Sequence, residues 1–474
     1  MSQSLWATLQ ALLGASHVQS SEEAAPYLTD KQGRYVGQVL AAVHPASTEE
    51  VAAVVRACVA ADTPVVVQGG NTGLMGGATP DASGRAVLLL LDRMNRVRAV
   101  DTDNDTLTVE AGCILQTVQD VARQAGRLFP LSLGAEGSCT LGGNLGTNAG
   151  GTAVLRYGNA RELTLGLEVV TAQGEIWNGL RGLRKDNTGY DLRDLFIGSE
   201  GTLGIITAAT LKLFPLPKAR ATALLAFDSL GQAVALLSHA RAGFGASLTA
   251  FELLSAECLA LLREQFPEGA RPFLGAGQPW FALLELSDNH SESHAREAFE
   301  QVLGEAFDQN LVADALIAEN LAQSQAFWQL RENMSEAQKR AGRNMKHDIS
   351  VPISQVVAFV EHTDALLQAH FPGVRHYTFG HLGDGNLHYN VAHPQGSTVE
   401  AHMRHYAAIS ERVHDSVHAH GGSISAEHGI GQLKVDRLAR YKSAVELDLM
   451  RRIKQALDPH NLLNPGKVLE GGQS

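Results

Sequence analysis

The sequence predicts an α/β or α+β protein built from two or three domains. The chain has 474 residues, which is more than one hydrophobic core usually supports. Apolar residues make up 45% of the chain and charged residues 19%, a globular composition that excludes a disordered protein. Strand patterns and helix patterns alternate along the first half of the chain, which is typical of both fold classes.

The N-terminal half carries the clearest patterns. Ser47 and Glu50 stand three apart, as in a capping box, and the apolar positions of residues 51–59 recur at helical spacing. Pro64 ends this pattern, and the valines of residues 65–67 predict a buried strand that runs into a glycine-rich loop. Further strands are predicted over residues 86–91, 106–109 and 165–171, and a further helix over residues 115–124.

Charge and cysteine content exclude several functional classes. A formal charge of -12 provides no electrostatic surface for nucleic acid or an anionic membrane. Cys58, Cys113, Cys139 and Cys258 lie far apart without a CxxC motif, which argues against disulfides and a cysteine zinc site. The sequence shows no apolar run near the roughly 20 residues of a bilayer span, and residues 1–14 lack the basic residues of a targeting signal. We therefore expect a cytoplasmic protein that is not integral to a membrane.

Two glycine-rich segments indicate a ligand site. Residues 69–73 follow the valine-rich strand and offer consecutive backbone N–H groups that suit phosphate oxygens, although a tight turn explains them equally well. Residues 130–151 contain seven glycines, and the backbone entropy that such a loop loses on folding must be offset, for example by an extended planar ligand. The 69–73 segment matches neither the Walker A nor the GxGxxG pattern.

Histidines are concentrated near the C-terminus, where 11 of the 19 fall between His370 and His428. Asp384-Gly385 is favourable for a two-residue type I′ hairpin turn, which would place His381 directly opposite His388. Two imidazoles so placed suit one divalent ion. For each histidine taken alone, a place in the core or on the surface is more common than a role as a metal ligand.

The third ligand and a competing site stay open at this point. Glu427 and His428 are candidates for the third ligand, and two histidines with one carboxylate leave the open position of a catalytic metal site. His414 and His418 stand i, i+4 on a predicted helix over residues 401–420. They lack a glutamate at metalloprotease spacing, so we expect them to be solvated.

Three segments together resemble the flavin-binding domain of the vanillyl-alcohol-oxidase/p-cresol-methylhydroxylase superfamily. They are residues 69–73, residues 130–151 and the Gly-Ser-Glu-Gly-Thr-Leu-Gly-Ile-Ile-Thr run at 198–207, in the order of the family. The resemblance implies an α+β fold with a two-subdomain FAD-binding domain and an α+β cap domain with an antiparallel sheet. The implied boundaries are 1–217 for the FAD domain, 218–422 for the cap, and 423–474 for a C-terminal segment that returns to the FAD domain.

The same resemblance implies bound FAD, with its pyrophosphate on the 69–73 loop. Some members attach the flavin through a histidine in that loop or a downstream cysteine or histidine. This loop has no histidine, so we predict non-covalent FAD, and Cys139 is the residue that would overturn this. The implied FAD-binding residues are Gln68, Gly69, Gly70, Asn71, Thr72, Gly73, Ser132, Gly137, Ser138, Gly142, Gly143, Asn144, Thr147, Asn148, Gly150, Gly151, Gly204, Ile206 and Asn464.

The C-terminal motifs resemble a narrower branch, the FAD-dependent D-2-hydroxyacid dehydrogenases. These motifs are residues 381–388, residues 426–431 and residues 458–467. The resemblance implies that His381, His388 and Glu427 hold Zn²⁺ or another divalent metal. It also implies that His428 is the catalytic base and contacts the substrate.

Residues 327–351 resemble branch members that act on D-2-hydroxyglutarate. Their substrate-binding Arg, Thr and Lys fall on Arg331, Ser335 and Lys346, and Asn390 completes the implied set. Arg331 and Ser335 are i, i+4 on a helical stretch and should share a face, although a surface ion pair is the commoner fate of an arginine. Ser in place of Thr keeps the hydroxyl but loses a methyl, which leaves the preferred chain length open.

The implied reaction is oxidation of a D-2-hydroxy acid, foremost D-2-hydroxyglutarate and also D-malate, to the 2-oxo acid. Electrons would pass to an external acceptor such as electron-transferring flavoprotein, a quinone or a cytochrome. D-lactate dehydrogenase and the glycolate oxidase catalytic subunit are the alternatives within the branch. A metal-dependent hydrolase and a non-catalytic flavin-binding subunit are alternatives of other classes, and a homodimer is among the states that the family includes.

Overall fold

The computed structural model describes residues 2–267 and 277–471, and the chain divides into two compact units. The first unit comprises Met1–Gly150, Gly158–Leu216 and Glu427–Ser474. The second comprises Gly151–Tyr157 and Pro217–Ala426. The domain boundaries expected from the sequence, after residues 217 and 422, stay predictions.

Strands of the first unit are β1 (Val18–Gln19), β2 (Ala41–Val43), β3 (Val65–Gln68), β4 (Val87–Leu90), β5 (Val97–Asp101), β6 (Thr106–Glu110), β7 (Arg127–Leu128), β8 (Thr164–Val170), β9 (Ile176–Gly179), β10 (Ile205–Lys212) and β11 (Phe214–Pro215). Strands of the second unit are β12 (Ala219–Phe227), β13 (Leu248–Ser255), β14 (Trp280–Asp288), β15 (Asp314–Ile317), β16 (Asp348–Ser350), β17 (Arg375–His381) and β18 (Asn386–Ala392).

The α-helices of the two units are numbered together along the chain. They are α1 (Ser2–Leu13), α2 (Thr48–Ala60), α3 (Leu115–Gln124), α4 (Leu141–Gly146), α5 (Val154–Tyr157), α6 (Arg193–Phe196), α7 (Leu230–Phe244), α8 (Ala256–Gln265), α9 (Glu292–Asp308), α10 (Leu321–Glu332), α11 (Met334–Arg340), α12 (Val356–His370), α13 (Val399–Met403), α14 (Tyr406–Ala419), α15 (Val435–Tyr441) and α16 (Ala444–Leu457). In the described part of the chain, every helix is too short or too polar to cross a bilayer.

The first unit contains two main sheets with different connectivity. One has the strand order β1-β2-β4-β3, in which β2, β4 and β3 run parallel and β1 pairs antiparallel with β2. The other has the order β5-β6-β10-β8-β9 and is antiparallel throughout. Parallel pairing needs a crossover, and α2 provides it between β2 and β3.

Helix α2 forms where the sequence predicts it because cap and apolar face agree. The Ser47 side chain accepts a hydrogen bond from the Glu50 N–H, and the Glu50 carboxylate accepts one from the Ala46 N–H rather than from Ser47 as a full capping box requires. Val51 and Val54 are completely buried in the core beneath the parallel sheet. Burying each valine contributes roughly 1.5 kcal/mol or more.

The second unit is built on one antiparallel sheet with the order β15-β12-β14-β13-β17-β18-β16. Helices α8, α10 and α11 cover one of its faces, where residues such as Leu254, Phe327 and Tyr377 form the core. The fold class is therefore α+β, as predicted. The predicted helix over residues 401–420 is interrupted and appears as α13 and α14.

Candidate active site

The two glycine-rich loops of the first unit pack against each other beyond the carboxyl end of β3. A Cβ at Gly69 would collide with the Thr140 hydroxyl, and one at Gly70 would collide with the Ser138 carbonyl oxygen. Only glycine allows backbones to approach this closely. The carboxyl end of parallel strands is also where α/β sheets bind ligands.

Buried polar atoms around these loops lack partners among the described residues. Gln68 is 1% exposed, and its Nε2 donates to the carbonyl oxygens of Tyr27 and Ala78, but its Oε1 has no partner within residues 2–267 and 277–471. Thr140 Oγ1 and Asn464 Oδ1 are also buried and have no hydrogen-bond partner among the described residues. Buried groups of this kind are costly. The two amide oxygens need hydrogen-bond donors and the Thr140 hydroxyl can also donate, so a ligand that carries hydroxyl or N–H groups together with acceptor oxygens fits the loops.

The 130–151 segment is more ordered than the loop that the sequence suggests. It contains the short helix α4, which carries Gly142, Gly143 and Asn144, because Leu141 and Leu145 are both buried one turn apart. The Asn148 side chain accepts a hydrogen bond from the Arg161 N–H.

The other predicted FAD-binding residues lie around these elements. Asn71 and Thr72 belong to the first loop, Ser132 and Gly137 precede α4, Thr147 caps its end, Ile206 lies on β10 and Gly204 precedes it, Gly150 ends the first segment of the first unit, and Gly151 begins the second unit.

Cys139 is poorly suited to covalent attachment of a cofactor. Its side chain belongs to the buried core at 3% exposure, and burial raises the pKa of its thiol. The thiolate is the reactive form of cysteine, so a raised pKa lowers the reactive fraction of Cys139.

A buried carboxylate fixes the loop that carries Glu427 and His428. Glu200 accepts hydrogen bonds from the N–H groups of Ile430 and Gly431 at 2.7 and 2.8 Å. Burial raises the pKa of the Glu200 carboxyl, and these two N–H groups oppose that rise. At the start of the loop, His428 Nε2 lies 3.4 Å from Glu427 Oε1, with both side chains partly exposed.

In the second unit, the predicted pairing of His381 with His388 is wrong. A type I′ turn needs positive φ at both central residues, and Gly385 has φ 80° while Asp384 belongs to a 3₁₀ turn, Leu382–Asp384. The completely buried Leu382 holds this wider turn in place. His381 consequently pairs with Asn386, and His388 pairs with Phe379. The two histidines are diagonal neighbours on one face, with ring centroids 5.7 Å apart.

His381 shares a buried carboxylate with Arg331. Glu252, 1% exposed on β13, lies opposite His381, and its Oε1 is 2.7 Å from His381 Nδ1. Its Oε2 accepts a hydrogen bond from Arg331 Nε at 2.7 Å. Burial alone would raise the pKa of Glu252, but the charges of His381 and Arg331 outweigh it and lower the pKa to about 2.

His388 has its own carboxylate neighbour on the opposite side of the hairpin. Asp348 on β16 pairs directly with His388, and Asp348 Oδ1 is 4.0 Å from His388 Nδ1. Asn386 Nδ2 donates to the same Oδ1 at 3.0 Å, and the Ala426 N–H donates to Oδ2 at 3.2 Å. The position of Asp348 is therefore well determined.

The predicted substrate residues occupy different environments. The predicted common face of Arg331 and Ser335 is wrong, because α10 ends at Glu332 and α11 begins at Met334; Arg331 is 9% exposed, whereas Ser335 is exposed. Lys346 is half-buried just before β16.

Two further polar residues of the second unit, Asn390 and His414, are buried. Asn390 is 3% exposed, accepts from the His347 N–H and donates to Gln338 Oε1. His414 is also buried, which corrects the expectation that it is solvated, because it lies on the inner side of α14 beside Val413 and Val417. His418 is exposed, as expected.

Sequence reasoning missed three carboxylates at these places: Glu200, Glu252 and Asp348. A signal existed for Glu252, which is the single charged residue in an otherwise largely apolar strand, Leu248–Ser255. For Asp348 and Glu200 the local sequence has no comparable signal, since their partners are distant along the chain.

The donor chemistry of the candidate metal residues fits a borderline divalent ion. They are Asp348 and His388 of the second unit, with Glu427 and His428 at the start of the last segment of the first unit. His381, which the sequence also predicts as a ligand, is not one of these four residues. Each pair offers one imidazole nitrogen and one carboxylate oxygen, which are ligand types of zinc, manganese and iron.

Two known families match the chain. The family described as "FAD binding domain" matches residues 39–179, and the family described as "FAD linked oxidases, C-terminal domain" matches residues 216–468. Among curated relatives, a D-2-hydroxyglutarate dehydrogenase of Xanthomonas citri pv. viticola is 40% identical over 94% of this chain and 92% of its own length. A mitochondrial D-2-hydroxyglutarate dehydrogenase of Bos taurus is 37% identical over 98% of this chain and 83% of its own.

Solved structures share the fold at lower identity. Substrate-bound p-cresol methylhydroxylase has a TM-score of 0.79 at 18% identity, covering 98% of this chain and 96% of that protein. The 4-ethylphenol oxidase from Gulosibacter chungangensis has a TM-score of 0.77 at 19% identity, covering 99% and 97%. These likenesses establish the architecture.

Proposed function

We propose that this chain, which belongs to the FAD-linked oxidases and is an FAD-dependent D-2-hydroxyacid dehydrogenase, oxidises D-2-hydroxyglutarate to 2-oxoglutarate. The observation that carries the choice of a dicarboxylate is the buried Arg331, which donates a hydrogen bond to Glu252 of β13. Lys346, the half-buried residue just before β16, is the second cation. Two cations suit the two carboxylates of this acid, and relatives named for the same substrate cover almost the whole chain.

The proposed roles of the substrate residues follow from their contacts. Arg331 uses Nε for Glu252, so its terminal N–H groups are directed to a substrate carboxylate as a planar pair of donors. Lys346 supplies a point charge for the second carboxylate, and the Ser335 hydroxyl donates a hydrogen bond. Asn390 is held by His347 and Gln338, which leaves one Nδ2 hydrogen to orient the acid.

His428 is the proposed base that takes the proton of the substrate hydroxyl. Its loop is held by Glu200 through Ile430 and Gly431, which limits the movement of the imidazole. A base must lie within hydrogen-bonding reach of the proton that it removes, so a fixed loop favours the reaction. When bound, FAD supplies the hydride acceptor and a divalent metal supplies the Lewis acid that lowers the pKa of the hydroxyl.

We further propose that His381, His388 and Glu427 hold Zn²⁺ or another divalent metal, with Asp348 orienting His388. The imidazole and carboxylate donors of these residues support this, as does the carboxylate neighbour of each histidine. FAD is proposed to be non-covalent because the 69–73 loop has no histidine and Cys139 is buried with a raised pKa. Electrons then pass to an external acceptor such as electron-transferring flavoprotein or a quinone, and the proposed location is the cytoplasm.

Anaerobic mixing tests this function directly. The yellow protein is mixed with D- and L-2-hydroxyglutarate, D-malate, D-lactate and glycolate, and flavin bleaching is followed with and without a chelator. D-2-hydroxyglutarate should bleach the flavin fastest, the L-enantiomer should not, and the chelator should slow the reaction. Faster bleaching by D-lactate or glycolate would establish the monocarboxylate alternative, and a bleaching rate that the chelator leaves unchanged would exclude a catalytic metal.

A further inference from the structure

Glu252 occupies a position where a carboxylate needs a specific reason. It lies in the middle of β13, is 1% exposed, and is flanked along the strand by Phe251 and Leu253 in a buried environment. Burying a charge is costly unless it is both paired and hydrogen-bonded. Both conditions are met here, because each carboxylate oxygen has its own partner.

The two partners of Glu252 are residues with different proposed tasks. Oε1 is 2.7 Å from His381 Nδ1, and Oε2 accepts from Arg331 Nε, also at 2.7 Å. With Nδ1 of His381 at the carboxylate, Nε2 would be the nitrogen that ligates the proposed metal, as in the usual carboxylate–histidine–metal arrangement. Contact at Nε leaves the terminal N–H groups of Arg331 for a carboxylate.

An aromatic ring restricts the same arginine from a second side. Arg331 Cζ lies 5.0 Å from the centroid of the Phe379 ring, and the Phe379 and His388 rings are 4.9 Å apart. The guanidinium is therefore held by a carboxylate at one nitrogen and lies over the face of an aromatic ring. A group held in this way loses little entropy when it binds an anion.

From this geometry we infer that Glu252 is a positioning residue that sets both the metal-facing nitrogen of His381 and the substrate-facing nitrogens of Arg331. The inference rests on the proposed function and deepens it. One carboxylate joins metal binding to recognition of the acid, so its replacement must weaken both. A purely structural ion pair would weaken neither in the folded protein.

Glu285 provides a matched control. It lies on β14 on the same sheet face, is 5% exposed, and accepts a hydrogen bond from Trp328 Nε1 at 2.6 Å. Trp328 belongs to α10, as does Arg331. Glu285→Gln therefore repeats the chemical change of Glu252→Gln at a buried contact with the same helix.

The test compares wild-type holoenzyme with Glu252→Gln and Glu285→Gln. Zinc affinity is measured by competition with a chelator in the absence of substrate, and KM and kcat are measured with D-2-hydroxyglutarate. Glu252→Gln should lower zinc affinity by about 10- to 100-fold and raise KM for the acid at least tenfold while the flavin content stays constant. Glu285→Gln should stay within twofold of wild type in both quantities.

The outcomes separate this inference from the proposed function. Unchanged zinc affinity and KM in Glu252→Gln, or a change in only one of them, overturns the joint role of Glu252 while the dehydrogenase activity stands. A wild-type protein that binds no zinc or other divalent metal, or that leaves D-2-hydroxyglutarate unoxidised, overturns the proposed function and this inference together. If Glu252→Gln does not fold, Glu252→Asp keeps the charge on a shorter side chain and should shift both quantities in the same direction.

Discussion

Replacing Arg331 with lysine should separate charge from geometry in substrate recognition. Arg331 spends Nε on Glu252 and keeps its terminal nitrogens for the acid. A lysine has one ammonium group. The Glu252 carboxylate is 1% exposed and needs the cationic partner that Arg331 supplies beside His381, so it will attract this ammonium group. The substituted protein should therefore fold but lose at least one charged hydrogen bond to the substrate.

The size of the effect follows from the hydrogen bond that a lysine at position 331 cannot make. A hydrogen bond to a charged group contributes about 1.5–3 kcal/mol, which corresponds to a decrease of roughly 10- to 150-fold in kcat/KM. Arg331→Met should be worse for stability, because it leaves the buried Glu252 half paired and breaking such a pair costs about 3–5 kcal/mol. The pKa of Glu252, which the two cations lower to about 2, should rise in that variant.

The assay is steady-state oxidation of D-2-hydroxyglutarate with an artificial electron acceptor, together with the flavin absorbance of the purified protein. Arg340→Lys is the control, since Arg340 pairs with Glu336 on the surface of α11. An Arg331→Lys variant with wild-type kcat/KM would refute the reasoning. So would an equal decrease in the Arg340→Lys control.

Three further outcomes are expected. His388→Ala should abolish turnover while the protein stays yellow, and undiminished turnover would exclude a catalytic metal at His388. Acid precipitation should release the flavin into the supernatant, and a yellow pellet would show covalent attachment. Burial lowers the pKa of Lys467, despite Asp81 and Glu200, from 10.5 to about 8. The unfolded chain then binds more protons between these values, so stability should rise with pH across that window by about 3 kcal/mol relative to Lys467→Met, as measured by urea unfolding; parallel pH profiles of the two proteins would contradict this.

Much of the secondary structure could be predicted because its causes are local. Helix α3 begins and ends where the spacing of its apolar residues predicts, and α2 follows its cap at Ser47. Strands β3 and β4 appear as continuous apolar runs because both faces of their parallel sheet are buried, with Val65 in one core cluster and Val66 in the other. The predicted register of the β17–β18 hairpin was wrong for a non-local reason. The packing of the buried Leu382 selects a wider turn than Asp384-Gly385 suggests.

The sequence by itself determined the family of this protein and the chemical types of its candidate site residues. Glycines that must pack without a Cβ, and histidines that recur in a short motif, are properties of the residues and are visible before folding. Only the tertiary structure showed that Glu252 joins Arg331 to His381 and that Asp348 lies opposite His388. These contacts join residues 79, 129 and 40 positions apart, and pairing at such separations depends on strand register and helix packing, which local sequence does not encode.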